Sequence, residues 1–357
     1  MYAVKYQDVL KAADRIQKAG AYITPILTSY SLNQMLPVAG RQQIVHFKAE
    51  CLQRTGSFKF RGAANAILSL LEEENGEGRS LHIVSHSAGN HAQGLACVTQ
   101  SLSEHMPQKL KLETTIFMPR GVTHAKKKAV QETYGANVIL TMDDDPATRI
   151  REASRFVNTI NSSASSHRSR AVLIHPFEDS HVMAGQGTVA LEMARQVPNM
   201  DAVIIPVGGG ALASGCSIVL RHIFGSQIKI ILAEPMAYDD TRRSLERGQL
   251  VTVANKEGPH TSTVADGLKA QLGAMQFPIL RDLTNDVLVA TDREILNATK
   301  LLWERLNVIV EPSAAIGFAV LLSDEFQQKY SPQSGIFNIG VILCGGNCDI
   351  QEVAKQF

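Results

Sequence analysis

The stretch A-V-I-I-P-V-G-G-G-A, at residues 202–211, is the part of the sequence that indicates the fold most clearly. Its first five residues are apolar on both faces, which predicts a strand buried inside a parallel sheet. The glycines Gly208, Gly209 and Gly210 then allow a tight turn and a close approach of the backbone to a ligand, and a helix is expected over 212–224. The spacing matches neither a dinucleotide nor a triphosphate motif, so a single phosphate group is the expected ligand. The alternative is a strand–helix turn without a ligand.

Seven further short runs rich in Ile and Val have the same character and alternate with helical patterns, which predicts an α/β fold with a doubly wound parallel sheet. Thr291 and Glu294 have the spacing of a capping box at the start of one of these helices. The predicted strands are 82–85, 114–118, 137–141, 171–175, 229–233, 286–290 and 339–343.

Composition and charge exclude several classes of function. The 357 residues carry 35 Lys and Arg against 34 Asp and Glu, so the net charge of +1 predicts no nucleic-acid partner. No run approaches the roughly 20 apolar residues that span a bilayer, so no membrane partner is expected. Five cysteines, an odd number, predict free thiols and a cytoplasmic location. At roughly 150 residues per domain, the length predicts about two domains.

The motif S-F-K-F-R-G, at residues 57–62, places Lys59 between two phenylalanines. Partial burial there would disfavour the ammonium form and lower the pKa of Lys59, as a lysine that forms a Schiff base requires. The alternative is an ordinary cation at a helix start.

Two further motifs follow predicted strands. S-A-G-N-H, at residues 87–91, has the strand–turn–helix pattern of an anion site for a carboxylate or phosphate, with a plain helix N-cap as the alternative. C-G-G-N, at residues 344–347, is a second glycine turn at the end of a strand, where ligands bind in open α/β sheets. For Cys344 the alternative is a buried, apolar thiol.

An acidic loop, E-P-M-A-Y-D-D at residues 234–240, follows another strand. Clustered carboxylates and carbonyls suit a hard cation such as Mg²⁺ or Ca²⁺. The alternative is a solvated acidic loop.

Together, in this order and spacing, the four motifs S-F-K-F-R-G, S-A-G-N-H, V-G-G-G and C-G-G-N resemble the fold type II (tryptophan synthase β-like) pyridoxal-phosphate enzymes of the serine/threonine dehydratase and serine racemase family. The likeness runs over roughly residues 8–350 and includes A-G-Q-G-T at 184–188, A-D-G at 265–267 and E-P-S-A at 311–314. The resemblance implies a large doubly wound domain from 1–75 and 180–357, a smaller α/β domain from 78–178, an amino-acid substrate and a homodimer.

The resemblance also implies roles for single residues. Lys59 forms a Schiff base with pyridoxal phosphate and later moves the Cα proton. The backbone amides of Gly208, Gly209, Gly210 and Ala211 hold the phosphate, although the family usually has a fourth glycine where this chain has Ala211. Phe58 packs beside the ring, Asn90 contacts its hydroxyl oxygen and Cys344 faces the pyridine nitrogen. The substrate carboxylate is bound by the loop of Ser87, Ala88, Gly89, Asn90 and His91. Glu234, Asp240 and the Tyr238 carbonyl match a site for Mg²⁺, or for Ca²⁺ or Mn²⁺.

Position 88 separates two activities in this family. Racemisation needs an acid or base on each face of Cα, and serine racemases have a serine where this chain has Ala88. H-P-F-E-D, at residues 175–179, also matches the dehydratase pattern, whereas the acidic loop resembles that of the racemases. We therefore expect an L-serine/L-threonine dehydratase that forms a 2-oxo acid and ammonia by loss of water. The alternatives are a serine racemase with secondary dehydratase activity, a 3-hydroxyaspartate dehydratase, or a non-catalytic relative that binds pyridoxal phosphate.

Overall fold

The computed structural model describes residues 2–36, 42–73, 80–87, 89–105, 111–122, 124–163, 169–252, 262–330 and 336–357. Backbone contacts divide the chain into two compact units. Unit 1 contains residues 1–9, 23–58 and 186–357, and unit 2 contains residues 10–22 and 59–185. The domain bounds given above stay a prediction.

The strands within the described residues form one sheet in each unit. They are β1 (Ile26–Leu27), β2 (Gln42–Ala49), β3 (Ser80–Ser85), β4 (Leu112–Met118), β5 (Asn137–Leu140), β6 (Ser169–Leu173), β7 (Ala202–Pro206), β8 (Lys229–Pro235), β9 (Asp286–Ala290) and β10 (Ile336–Leu343).

The α-helices of the described residues lie mostly between strands, as βαβ connections require. They are α1 (Tyr6–Lys18), α2 (Tyr30–Asn33), α3 (Lys59–Glu73), α4 (Asn90–His105), α5 (His124–Lys128), α6 (Pro146–Asn161), α7 (Ser180–Gln196), α8 (Ala211–Phe224), α9 (Asp240–Arg247), α10 (Phe277–Leu283), α11 (Asp292–Leu301), α12 (Pro312–Leu322), α13 (Asp324–Tyr330) and α14 (Ile350–Ala354). None of these described helices has both the length and the apolar character needed to cross a bilayer.

Unit 1 is built on a six-stranded sheet in the order β1-β2-β10-β7-β8-β9. Only β1 is antiparallel to its neighbour, and the other pairs are parallel. All five residues of β7 are buried, as expected for a central strand. The apolar helix α12 is buried on nearly all sides and its Phe318 packs edge to face on Phe47 of β2, with ring centroids 5.5 Å apart. This core fixes where the carboxyl ends of β7, β8 and β10 lie.

Unit 2 is built on a parallel four-stranded sheet in the order β5-β4-β3-β6. Helices α3 and α4 share a core with β3 and β4, in which Phe60, Ile67 and Leu95 are fully buried. The prediction that every strand is buried on both faces is wrong for β5, because this strand lies at the sheet edge and its end residues, Asn137 and Leu140, are exposed.

The predicted α/β class is confirmed, and each of the eight predicted strands corresponds to a strand of the structure. The capping box is also present, since the Thr291 side chain accepts from the Glu294 amide while Glu294 Oε2 accepts from the Thr291 amide at 2.7 Å. Strands β1 and β2 were not predicted from the sequence.

Candidate active site

The glycine turn at residues 208–210 joins β7 to α8 in unit 1. Gly210 has φ +87°, a left-handed conformation that glycine adopts without strain. Its carbonyl accepts from the Ser214 amide at 2.8 Å, which begins the helical hydrogen bonding of α8. The first amides of a helix have no partner within it and lie at the positive end of its dipole. The turn therefore presents backbone donors suited to an anion, and Ala211 at the first helical position supplies an amide as a glycine would.

Two other motifs of unit 1 support this turn. A Cβ atom on Gly208 would lie 3.1 Å from Leu268 Cα, so the segment after A-D-G packs directly on the turn. Within A-D-G, the Gly267 amide donates to Ser313 Oγ of E-P-S-A at 2.9 Å. The sequence motifs A-D-G and E-P-S-A therefore have a structural role next to the glycine turn.

We expect Gly210→Ala to weaken binding of a phosphate-bearing ligand by at least about tenfold. A side chain at this φ costs about 1–2 kcal/mol, and the new Cβ would also lie 2.9 Å from Leu272 Cδ1. The matched control is Gly248→Ala, because Gly248 has φ +67° at the end of α9 with open space around it. Ligand titration and thermal unfolding should show a stability loss in both variants but a loss of affinity only in Gly210→Ala. Equal affinities would contradict the assignment of this turn as an anion site.

The loop that leads into Lys59 is bound to the C-G-G-N turn, also within unit 1. The Phe58 amide donates to the Cys344 carbonyl at 3.0 Å, and the Gly346 amide donates to the Gly56 carbonyl at 2.9 Å. Asn347 Nδ2 donates to the Thr55 carbonyl at 2.7 Å. Two motifs far apart in sequence thus form one backbone arrangement. This arrangement fixes the backbone position of Phe58, the residue before Lys59, and the Phe58 side chain is buried.

Cys344 is buried at the end of β10. Its thiol donates to the Ser313 carbonyl, with a sulfur–oxygen distance of 3.6 Å. Because a thiol has a single proton, this contact occupies its donor.

Lys59 is the first residue of α3 and is half-buried in unit 2. Its Nζ donates to the Pro176 carbonyl at 2.9 Å. Two histidines of the same unit, His91 in α4 and His175 after β6, lie near Lys59, and His86 after β3 lies against His175. The His86 and His175 rings meet edge to face with centroids 4.6 Å apart.

These three histidines are held in the neutral form. Burial, and then the charge of His175, lowers the pKa of His86 to about 3. Burial, and then the Lys59 charge, lowers the pKa of His175 to about 4. The fully buried His91 has its pKa lowered well below the usual value by the same two causes.

The 87–91 loop leads into α4, which begins at Asn90. Ser87 Oγ accepts from the Gly89 amide at 3.4 Å, and the Gly89 carbonyl accepts from the Gln93 amide at 3.3 Å. Ala88 lies outside the described residues. The amides at the start of α4 lie at a helix N-terminus, where backbone donors are suited to an anion.

Arg149 of α6 is a residue near this loop that the sequence analysis missed. Its charge lowers the pKa of His86, so the two side chains are close. Its Nε is buried without a hydrogen-bond partner among the described residues. A partly buried guanidinium of this kind suits a carboxylate ligand. No local signal identifies this residue in the sequence, because one arginine in a polar helix has no distinguishing pattern.

The acidic loop contains two buried carboxylates in unit 1, Glu234 and Asp240. Glu234 accepts from the backbone amides of Thr241 at 2.8 Å and Arg242 at 3.0 Å. Burial and the neighbouring Asp240 raise the pKa of Glu234 to about 8, and burial raises the pKa of Asp240 to about 6. Tyr238 lies between them in the short 3₁₀ helix Met236–Tyr238. Two adjacent buried carboxylates would be stabilised as anions by a cation, which makes the donor set compatible with one. Among the described residues, no group of three or more His, Cys, Asp or Glu side chains forms a metal cluster.

Comparison with known proteins gives a consistent result. Residues 18–345 match the family model described as pyridoxal-phosphate dependent enzyme. Rat serine racemase is 38% identical over 353 residues, which covers 99% of this chain and 96% of the rat protein. The structure of maize serine racemase aligns with a TM-score of 0.84 and 35% identity, covering 99% of this chain and 97% of that one. The threonine deaminase of T.th. aligns with a TM-score of 0.78 and 32% identity, covering 97% of this chain and 99% of that one.

A family model that spans most of the chain, full-length relatives and a matching fold agree with the resemblance read from the motifs. The chain therefore belongs to the fold type II pyridoxal-phosphate-dependent enzymes, in the group that contains the serine racemases and threonine deaminases.

Proposed function

We propose that this chain is a pyridoxal-phosphate-dependent enzyme that acts on serine, and that it interconverts L- and D-serine. The observation that carries this proposal is the full-length similarity to serine racemases, 38% over 99% of the chain for the rat protein. These relatives support racemisation better than the dehydratase activity expected from the sequence.

The donor set described above fits pyridoxal phosphate. The turn at Gly208, Gly209, Gly210 and Ala211 would bind its phosphate, and Lys59 would bind its aldehyde covalently. As the family resemblance implies, Phe58 would pack beside the cofactor ring, Asn90 would contact its hydroxyl oxygen and Cys344 would face its pyridine nitrogen. When bound, the cofactor would withdraw electrons from Cα of the amino acid and so acidify the Cα–H bond.

The substrate carboxylate would be bound by the loop of Ser87 to His91 at the start of α4, together with Arg149. Amides at a helix N-terminus and a partly buried guanidinium both favour an anion. Lys59, whose amine donates to Pro176, would remove and return the Cα proton. These groups orient a small amino acid by its carboxylate.

Elimination of water is the second candidate, and Ala88 is the observation that favours it. A racemase must also deliver a proton to the face of Cα opposite Lys59, and the alanine side chain has no transferable proton. A chain with one acid–base group would release the 2-oxo acid and ammonia from L-serine or L-threonine in preference to the D-amino acid.

The test is to quantify D-serine, pyruvate and other 2-oxo acids from the purified protein supplied with L-serine, L-threonine or 3-hydroxyaspartate. D-serine formed at a rate comparable to pyruvate supports racemisation. Pyruvate with only traces of D-serine would overturn it in favour of the dehydratase. Products from 3-hydroxyaspartate alone would identify the third substrate, and no product despite bound cofactor would indicate a non-catalytic relative.

We expect Ala88→Ser to raise the ratio of racemisation to elimination by about 10- to 100-fold, because it adds a hydroxyl that can transfer the second proton. Chiral chromatography of the products measures the ratio. The control is Ala147→Ser, at an exposed position of α6 in the same unit, which should leave the ratio unchanged. An unaltered ratio in Ala88→Ser would mean that another group already delivers the proton.

We also propose that Glu234, Asp240 and the Tyr238 carbonyl bind Mg²⁺, or Ca²⁺ or Mn²⁺ in its place. The two buried carboxylates support this proposal. A homodimer is a proposal that rests on the family resemblance, and sedimentation tests it. A cytoplasmic location is a proposal that rests on the odd number of cysteines.

Saturating Mg²⁺ is expected to raise the melting temperature of the chelator-treated protein by about 4 °C, because a ligand present at 100 times its Kd stabilises by about 2.7 kcal/mol. Glu234→Gln should abolish this rise, since the amide keeps one oxygen acceptor for an α9 amide but removes the charge. Glu304→Gln, at an exposed position, is the control. A rise of equal size in all three proteins would exclude this site.

A further inference from the structure

A backbone carbonyl holds the amine of Lys59 within unit 2. Lys59 Nζ donates to the Pro176 oxygen at 2.9 Å, and Pro176 is buried. Proline has no N–H, so this residue offers the lysine only a backbone acceptor. An amine that donates one hydrogen to a fixed carbonyl directs its remaining hydrogens and its lone pair away from that carbonyl.

His175 closes the turn that presents this carbonyl. Its Nδ1 accepts from the Glu178 amide at 2.9 Å and from the Phe177 amide at 3.3 Å. Bonds from a side chain to amides two and three residues ahead fix the intervening backbone, which here contains Pro176. Because Nδ1 is the acceptor, the ring proton must be on Nε2.

Neighbouring rings and charges keep His175 in this state. Its ring meets the Phe177 ring edge to face with centroids 4.5 Å apart, and His86 packs on it in the same way at 4.6 Å. The titratable group that acts on it is Lys59, and His175 in turn lowers the pKa of His86 and of His91. Burial and the Lys59 charge lower the pKa of His175 to about 4, so the neutral form, the one able to accept at Nδ1, is present at neutral pH.

We propose that His175 is a positioning residue for Lys59: it holds the turn at residues 175–178 so that the Pro176 carbonyl fixes the direction of the lysine amine whenever that amine is not joined to the cofactor. The inference rests on the proposed role of Lys59 and adds a residue that acts through the backbone. As a consequence, the Lys59 amine keeps its direction after the substrate has displaced it from the cofactor.

The test is competitive reductive methylation of the full chain with formaldehyde across pH 6–10, read at the Lys59 peptide by mass spectrometry. It is done on the holoprotein and on the same chain after removal of the cofactor. His175→Phe keeps an aromatic ring without an acceptor, whereas His175→Asn keeps an acceptor oxygen that can reach the same amides. His105→Asn, at an exposed histidine, is the control.

In the cofactor-free protein, His175→Phe should lower the pH midpoint of Lys59 labelling by about 1 unit, because a hydrogen bond to the charged form is lost. His175→Asn and His105→Asn should match the wild type. Equal midpoints in the wild type and His175→Phe would overturn the inference. Protection of Lys59 in the wild-type holoprotein tests the proposed function separately, since it depends only on the covalent link.

A second measurement does not depend on how well His175→Phe folds. Ring ¹⁵N NMR of the wild-type chain, with the His175 signal identified by its loss in His175→Asn, should show the Nε2–H tautomer at pH 7.5. The Nδ1–H tautomer would contradict the turn and the inference.

Discussion

Replacing Lys59 by alanine should abolish covalent retention of pyridoxal phosphate and reduce turnover of serine by at least about 1,000-fold. The reason is that one amine is assigned both the covalent link and the movement of the Cα proton, and each of these roles alone accounts for large factors. The variant should remain folded, because a half-buried side chain at the first position of α3 contributes little to the core.

Absorbance in the visible region, D-serine and pyruvate are the quantities to measure, with circular dichroism as the check on folding. Lys11→Ala is the matched control, since Lys11 lies exposed on α1. Turnover retained in Lys59→Ala would show that another lysine carries the chemistry.

The buried histidines His86 and His91 should each contribute a loss of stability in mild acid. His86 has a folded-state pKa of about 3, and that of His91 lies well below 6.5, whereas in the unfolded chain both take up protons near pH 6.5. At these two sites the unfolded state therefore binds more protons below pH 6.5, so their contribution to the free energy of unfolding falls as the pH falls. Each histidine contributes about 1.4 kcal/mol per pH unit below pH 6.5 and almost nothing above it, so these two together lower the free energy of unfolding by about 3 kcal/mol between pH 7.5 and 5.5.

Urea unfolding of the wild type and of His86→Asn at both pH values isolates this effect, because groups common to the two proteins cancel in the difference. The wild type should lose about 1.4 kcal/mol more than His86→Asn over this range. His105→Asn should behave like the wild type. Parallel losses in the wild type and His86→Asn would contradict the buried, neutral state of His86.

The sequence predicted those parts of the fold whose signal is local. Apolar runs identified β7 and β9 at their observed bounds, and the spacing of Thr291 and Glu294 identified the start of α11. The strand β2 was missed because its sequence, Q-Q-I-V-H-F-K-A, includes Lys48, and a lysine argues against a buried strand. Lys48 is nevertheless completely buried, where its Nζ donates to Glu192 at 2.7 Å and to Gln196 at 2.9 Å. Partners so far along the chain cannot be read from local pattern.

The same limit applies to the candidate site. The glycine turn, Lys59 and the start of α4 are visible as motifs, since each combines small residues with the start of a helix. The cluster of His86, His91 and His175 comes from three separate segments of the chain, and only folding brings these side chains together and places His91 and His175 near Lys59. Arg149 is found only through the burial of its Nε and its effect on His86.

The most direct test of the account is to reduce the purified protein with borohydride and map the cofactor-bearing peptide by mass spectrometry. The account predicts a single reduced adduct, with the mass of pyridoxal phosphate, on the side chain of Lys59. An adduct on a different lysine, or no adduct in protein that still turns over serine, would contradict it.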